Sequence, residues 1–126
     1  MSIDVIATDD APQAIGPYSQ AISSGGLVFC SGQIPLDPAS GELVEGSIAD
    51  QTQRCMQNFD AVLKAAGSGL DRLLKVTVFL TDMSDYAEFN DAYGAFTSEP
   101  PPARAAVAVA ALPKGARIEI ECVAAT

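Results

Sequence analysis

The chain has no histidine. That removes the commonest general base, the usual zinc ligand and every catalytic triad built on imidazole. Cations are scarce as well: 7 Lys and Arg stand against 16 Asp and Glu, for a net charge of -9. Nucleic-acid phosphates call for a basic footprint and anionic bilayers for basic patches, so both partners are disfavoured. A small anionic substrate is not excluded, because one arginine outweighs a distant net charge at short range. Cys30, Cys55 and Cys122 lie far apart in apolar segments, with no CxxC pair and no disulfide framework. Buried, reduced thiols in the cytoplasm are the simplest account. The opening stretch lacks the basic and apolar regions of a signal peptide, and no apolar run is long enough to span a bilayer. The expectation is a cytoplasmic protein with no membrane partner. Its 126 residues, 48% hydrophobic, suit a single domain over 1–126 with one real core.

What is present is organised around residues 100–121. Three prolines run into Arg104, and a smooth run from Ala105 to Ala111 follows. After a turn at Leu112-Pro113-Lys114-Gly115, Ile118, Ile120 and Cys122 alternate with Glu119 and Glu121. Period two on both sides of a Pro/Gly turn predicts two adjacent antiparallel strands. Arg104 sits where a proline-stiffened approach meets the sheet, with a long cationic side chain free to reach a ligand or a salt-bridge partner.

Upstream, residues 3–8 suggest a short strand. Gly16-Pro17 leads into a second, on which Tyr18, Gln20 and Ile22 share one parity. Ser24-Gly25-Gly26 reads as a hairpin turn into a third strand over 27–34, where Gly32, beside Ser31, marks close approach by a ligand or by backbone. Ser47, spaced for capping with Asp50, starts a helix of roughly 18–20 residues that Gly67-Ser68-Gly69 stops. Residues 72–80 form the strongest strand. Leu74, Val76, Val78 and Leu80 make one face, and Leu73, Thr77 and Phe79 make the other largely apolar as well. That second face calls for barrel closure or another subunit. Asp82 or Ser84 caps a second helix, whose Tyr86, Phe89, Tyr93 and Phe96 read as a core stripe. The order β, β, β, helix, β, helix, β, β gives an α+β fold with two helices on one face of a mixed sheet.

IGPYSQA at 15–21, SGQIPLDPASGE at 31–42, VTVFLTDMSDYAEFN at 76–90, PPARAAV at 101–107 and LPKGARIEIE at 112–121 together carry a resemblance. The chain resembles the RidA/YjgF family of reactive intermediate deaminases over nearly its whole length. The resemblance implies a chorismate-mutase-like fold and a homotrimer whose sheets face a central core, with clefts between subunits. It implies cofactor-independent hydrolysis of 2-enamine and 2-imino acids, such as 2-aminoacrylate, to 2-keto acids and ammonia. Such species arise from pyridoxal-phosphate enzymes, so the protein would act downstream of them without necessarily binding them. Residue by residue, it implies Arg104 as the carboxylate holder, Glu119 as the group that contacts water, and Tyr18, Ser31, Gly32, Asn90 and Ala106 around the substrate. Ala106 stands where many bacterial members carry a cysteine.

An imine is already electrophilic, so this chemistry requires neither metal nor covalent nucleophile. A guanidinium can grip the neighbouring carboxylate with two prongs. Glu119 can orient water or shuttle a proton. Three other readings stay open: a non-catalytic trimeric module that binds small carboxylates or keto acids, a nucleic-acid or translation-directed role, and isomerase chemistry of the chorismate-mutase kind.

Overall fold

The structure, a computed structural model, describes residues 2–126. Strands β1 (Asp4–Ile6), β2 (Ala21–Ser24) and β3 (Leu27–Gln33) come first, then helix α1 (Ile48–Ala65), β4 (Leu73–Leu80), α2 (Tyr86–Gly94), β5 (Ala103–Ala108) and β6 (Ile118–Ala125). The six strands form one mixed sheet in the order β1-β2-β3-β6-β4-β5. Gly25 and Gly26, at φ 60° and 79°, make the tight turn between β2 and β3, both in the left-handed region that the hairpin geometry demands.

Both helices pack on one face of the sheet. In α1, Cys55, Phe59 and Val62 recur at three and four and are buried. Each large side chain buried in this way contributes roughly 1.5–3 kcal/mol. Ser47 and Asp50 complete a reciprocal capping box at the start of α1. The end is a Schellman motif: the Ser68 N–H donates to the Leu63 carbonyl at 2.8 Å and the Gly67 N–H to Lys64 at 3.0 Å. Glu88 from α2 also accepts from the Ala49 N–H at 3.0 Å, so the second helix helps to cap the first. Val28, Val76, Val78, Ile118 and Ile120 line the sheet beneath them. Among the described residues no helix is long and apolar enough to cross a membrane.

Three expectations need correction. The strands flanking the Leu112–Gly115 turn are not neighbours, because β4 lies between them, parallel to β5 and antiparallel to β6. Alternation shows that a segment is a strand but not which strand it pairs with. The connection from Val109 to Arg117 instead crosses the end of β4, where the Val109 N–H donates to the Leu80 carbonyl and the Thr81 N–H to Arg117. On β4 itself, Leu73 is buried and Leu74 is exposed, the reverse of strict alternation. A register shift against β6 between Leu73 and Lys75 accounts for it, since an extra residue reverses the parity of what precedes it. Finally, β2 begins at Ala21, and Tyr18 lies in the loop before it.

The sheet face away from the helices is open, and Phe29, Leu74 and Val107 are each more than two-fifths exposed on it. Replacing Ser47 by Ala removes the capping oxygen and is expected to cost about 1 kcal/mol, read as a lower urea midpoint with an unchanged slope.

Candidate active site

Glu119 stands on β6 between Ile118 and Ile120, both fully buried against the helices, so strand alternation turns its carboxylate to the open face. There it lies against Gly32. A Cβ placed on Gly32 would sit 2.7 Å from Glu119 Oε2, so only glycine leaves room for the carboxylate in this position. The pairing of β3 with β6 shifts register between Cys30 and Gln33, which sets Ser31 and Gly32 in a local irregularity of the strand. The result is a cavity of about 450 Å³ walled by Tyr18, Ser31, Gly32, Lys114 and Glu119, with Ile15 and Leu36 among its apolar lining. Partial burial pushes the Glu119 carboxyl above its ordinary range, and the neighbouring Glu121 charge adds to the shift.

The N-terminal wall of this cavity is tied down by side chains. Gln20, almost fully buried, accepts from the Thr8 N–H at 2.7 Å and donates to the Pro12 carbonyl at 2.7 Å. Ser31 Oγ donates to the Ser19 carbonyl at 2.6 Å. Its one proton is spent there, so toward a ligand Ser31 offers only oxygen lone pairs. Tyr18 is half-exposed at the cavity lip, and its hydroxyl accepts from the Ile15 N–H at 3.4 Å. Lys114 sits at φ 58° in the left-handed region and, among the described residues, is the only cation in the lining.

Arg104 belongs to a different neighbourhood. It lies on β5 opposite Val76 of β4, which in turn pairs with Cys122 of β6. That row faces the helices. The Arg104 Nη2 donates to Tyr86 Oη at 2.7 Å and to Asn90 Oδ1 at 2.8 Å. Its guanidinium carbon sits 5.7, 5.4 and 4.9 Å from the ring centres of Tyr86, Phe89 and Tyr93. The aromatic stripe is thus more than core, because it is also the platform on which Arg104 rests. Among the described residues no carboxylate pairs with Arg104, since the two salt bridges are Lys64–Asp60 and Arg117–Asp85. Its charge is uncompensated. With both Nη2 protons committed, Nη1 and Nε remain, and because they diverge across Cδ a ligand oxygen takes one N–H here and not the two-pronged grip that a free guanidinium offers. Ala106, two residues on, pairs with Val78 and packs against the core. Burial pushes the Tyr93 hydroxyl up, and the Arg104 charge partly opposes the shift.

The expected site residues therefore fall into two groups. Tyr18, Ser31, Gly32 and Glu119 share the cavity on the open face, and Arg104, Asn90 and Ala106 gather at the β5 edge on the helix side. Among the described residues no cluster of histidine, cysteine or acidic side chains is arranged to hold a metal.

Comparison with known proteins matches residues 8–126 to the family model described as Endoribonuclease L-PSP. The chain belongs to this family, the RidA/YjgF family. The mouse protein named 2-iminobutanoate/2-iminopropanoate deaminase is 46% identical over 120 residues, covering 95% of this chain and 89% of that one. The crystal structure of RidA from an Antarctic Psychrobacter superposes with a TM-score of 0.94 at 47% identity, over 98% of this chain and 99% of that one. That of E. coli TdcF with bound serine superposes with a TM-score of 0.91 at 40% identity, over 98% of both chains.

Three features of this RidA/YjgF chain escaped the sequence reading. Tyr86 and Tyr93 lie at helical spacing, which signals burial and says nothing of a cation arriving from another strand. Lys114 looks like an ordinary turn residue until its φ is known. Gln20 alternates like a strand residue but works as a loop clamp.

Two outcomes follow for Glu119. Gly32→Ala keeps the fold but displaces the carboxylate, and a crystal structure of the variant is expected to show Glu119 rotated out of the cavity. For Glu119→Gln the sign comes from linkage. A folded-state pKa raised above the ordinary 4.5 means that native stability is lost as pH rises through the raised value. The variant lacks that loss. Urea melts are expected to show it more stable than the native chain at about pH 8 and equal to it at or below about pH 4.

Proposed function

We propose that this protein is a cofactor-independent deaminase that hydrolyses short 2-imino acids to 2-keto acids and ammonia, working in clefts that neighbouring subunits of a homotrimer build together. The observation that carries the reading is the pair of half-sites: an uncompensated arginine on one face of the sheet and a desolvated carboxylate in a cavity on the other. The deaminase name of the mouse relative supports the chemistry, and the serine bound by TdcF supports a small amino-acid-like ligand. The exposed Phe29, Leu74 and Val107 support a second subunit against the open face.

Arg104 and Glu119 serve opposite faces of one sheet. A cleft that uses both draws Arg104, Asn90 and Ala106 from one protomer, and Tyr18, Ser31, Gly32 and Glu119 from its neighbour. In that cleft the substrate carboxylate takes an N–H from Arg104, oriented by Asn90, and the Ala106 amide. The enamine reacts as its imine tautomer. Water, held by Glu119, adds through its oxygen to the carbon of the imine protonated at nitrogen by solvent. The C=N π pair moves onto nitrogen, and the carboxylate accepts the proton that water gives up, which leaves a neutral carbinolamine. Glu119 then returns that proton to the nitrogen, the C–N bond breaks as the C=O bond forms, and the hydroxyl proton passes through Glu119 to the departing ammonia, which leaves as ammonium. A carboxylate whose pKa is raised by burial is a stronger base toward water, and its acid form persists to higher pH. Tyr18 closes the lip of the cavity.

Coupled to a serine or threonine dehydratase, the native chain is expected to speed keto-acid release. Arg104→Ala is expected to lose the effect, since an unpartnered charged group costs roughly 2–5 kcal/mol. Mixing Arg104→Ala with Glu119→Gln protomers and reassembling them is expected to restore activity in about a quarter of the clefts, those that draw both intact residues. No recovery on mixing would overturn the shared cleft. No acceleration by the folded native chain, with keto acid still bound, would replace the deaminase by a carboxylate-binding module.

A further inference from the structure

Arg104 approaches α2 from the outermost strand, at the end of a flexible side chain. The structure nonetheless holds its guanidinium at one nitrogen by two acceptors, Tyr86 Oη at 2.7 Å and Asn90 Oδ1 at 2.8 Å. These two residues are four apart on α2 and so present neighbouring positions on one side of the helix. A guanidinium is planar, and two hydrogen bonds to one of its terminal nitrogens fix the plane as well as the position. Ring contacts alone would not do this. The attraction between a cation and an aromatic face depends mainly on distance to the ring, so Phe89 and Tyr93 keep the guanidinium near without choosing which of its N–H groups points outward.

We infer that Tyr86 is a positioning residue for Arg104: its hydroxyl, with Asn90, locks the guanidinium in the rotation that leaves an Nη1 N–H free for a carboxylate oxygen. This rests on the reading of Arg104 as the carboxylate holder. The division of labour within the stripe is specific. Of the three aromatic residues beneath the arginine, Tyr86 alone gives it an oxygen, because Phe89 has none and the Tyr93 hydroxyl is buried without a partner. Tyr86 also tilts against Phe89, with ring centres 6.2 Å apart, so the hydroxyl is carried on a ring that is itself packed. Without it the guanidinium keeps its place over the rings but rotates, and ordering it falls to the substrate.

The test is Tyr86→Phe, which removes one oxygen and keeps the ring. Affinity for 2-ketobutanoate, measured by calorimetry, is expected to fall about tenfold, the size of one hydrogen bond to a charged group. KM for the imine is expected to rise by a similar factor with kcat nearly unchanged. In an Arg104→Lys background the same hydroxyl loss is expected to change nothing. Nitrogen-detected magnetic resonance of Arg104 is expected to resolve its two terminal nitrogens in the native chain and to merge them in Tyr86→Phe, a readout that needs no ligand. Equal affinity in native and Tyr86→Phe protein overturns the inference. So does an equal loss in the Arg104→Lys background, or resolved nitrogens in both proteins. Should Arg104→Lys bind the keto acid as well as the native chain, the carboxylate-holder reading falls and this inference with it. If the native chain binds in an Arg104-dependent way but hydrolyses no imine, the deaminase reading alone falls and the role of Tyr86 stands.

Discussion

A strand sends successive side chains to opposite sides, and a paired strand must keep step with its neighbour. That constraint decides where every functional group of this molecule goes. The row Arg104, Val76, Cys122 runs across three strands on the helix side, and the row Val107, Phe79, Glu119 runs across the same strands on the open side. Moving either catalytic candidate by one position would exchange its face and leave it among the wrong neighbours. The helices, the aromatic platform and the loop clamp at Gln20 all serve surfaces whose polarity this two-residue repeat has already assigned.

Charge is handled differently on the two sides. The chain is strongly acidic, yet its one arginine at the β5 edge has aromatic rings and neutral oxygens around it in place of a carboxylate. Neutral acceptors hold a cation without cancelling it, so the charge remains available to an incoming anion. On the open face the reverse holds. Glu119 is partly withdrawn from water beside another acid, which makes ionisation harder. The few charges that matter are those whose partners are missing.

Much of this was legible in the sequence because local signals carried it. The three-and-four spacing of Cys55, Phe59 and Val62, the Ser47–Asp50 box and the glycines at 25, 26 and 67 each act over a few residues, and each appears in the structure where its chemistry requires. Pairing over long range was not legible. Nothing local tells β6 to enter between β3 and β4, because its alternation is equally at home beside β5. The Leu73–Leu74 reversal has the same origin, since a bulge exists only relative to a partner strand. At the site, Gly32 was readable as a point of close approach, but the approaching group, Glu119, lies far along the chain. The grouping of Arg104 with Tyr86 and Asn90 needed the parallel crossover from β4 through α2 to β5 before it could be seen.

The position of β5 has a consequence for the life of the chain before it reaches its final state. Of the sheet's two edges, β1 is only three residues long, but β5 has six, five of them alanine or valine, and its single charge is drawn back onto α2. Sheet edges are normally made safe by charge, proline or brevity. Here only the prolines just before it offer such protection. A newly synthesised copy therefore carries an adhesive strip of unpaired backbone until something covers it. Its survival in a crowded cell becomes a race between correct capture and indiscriminate pairing, with the outcome set by how soon a proper neighbour arrives.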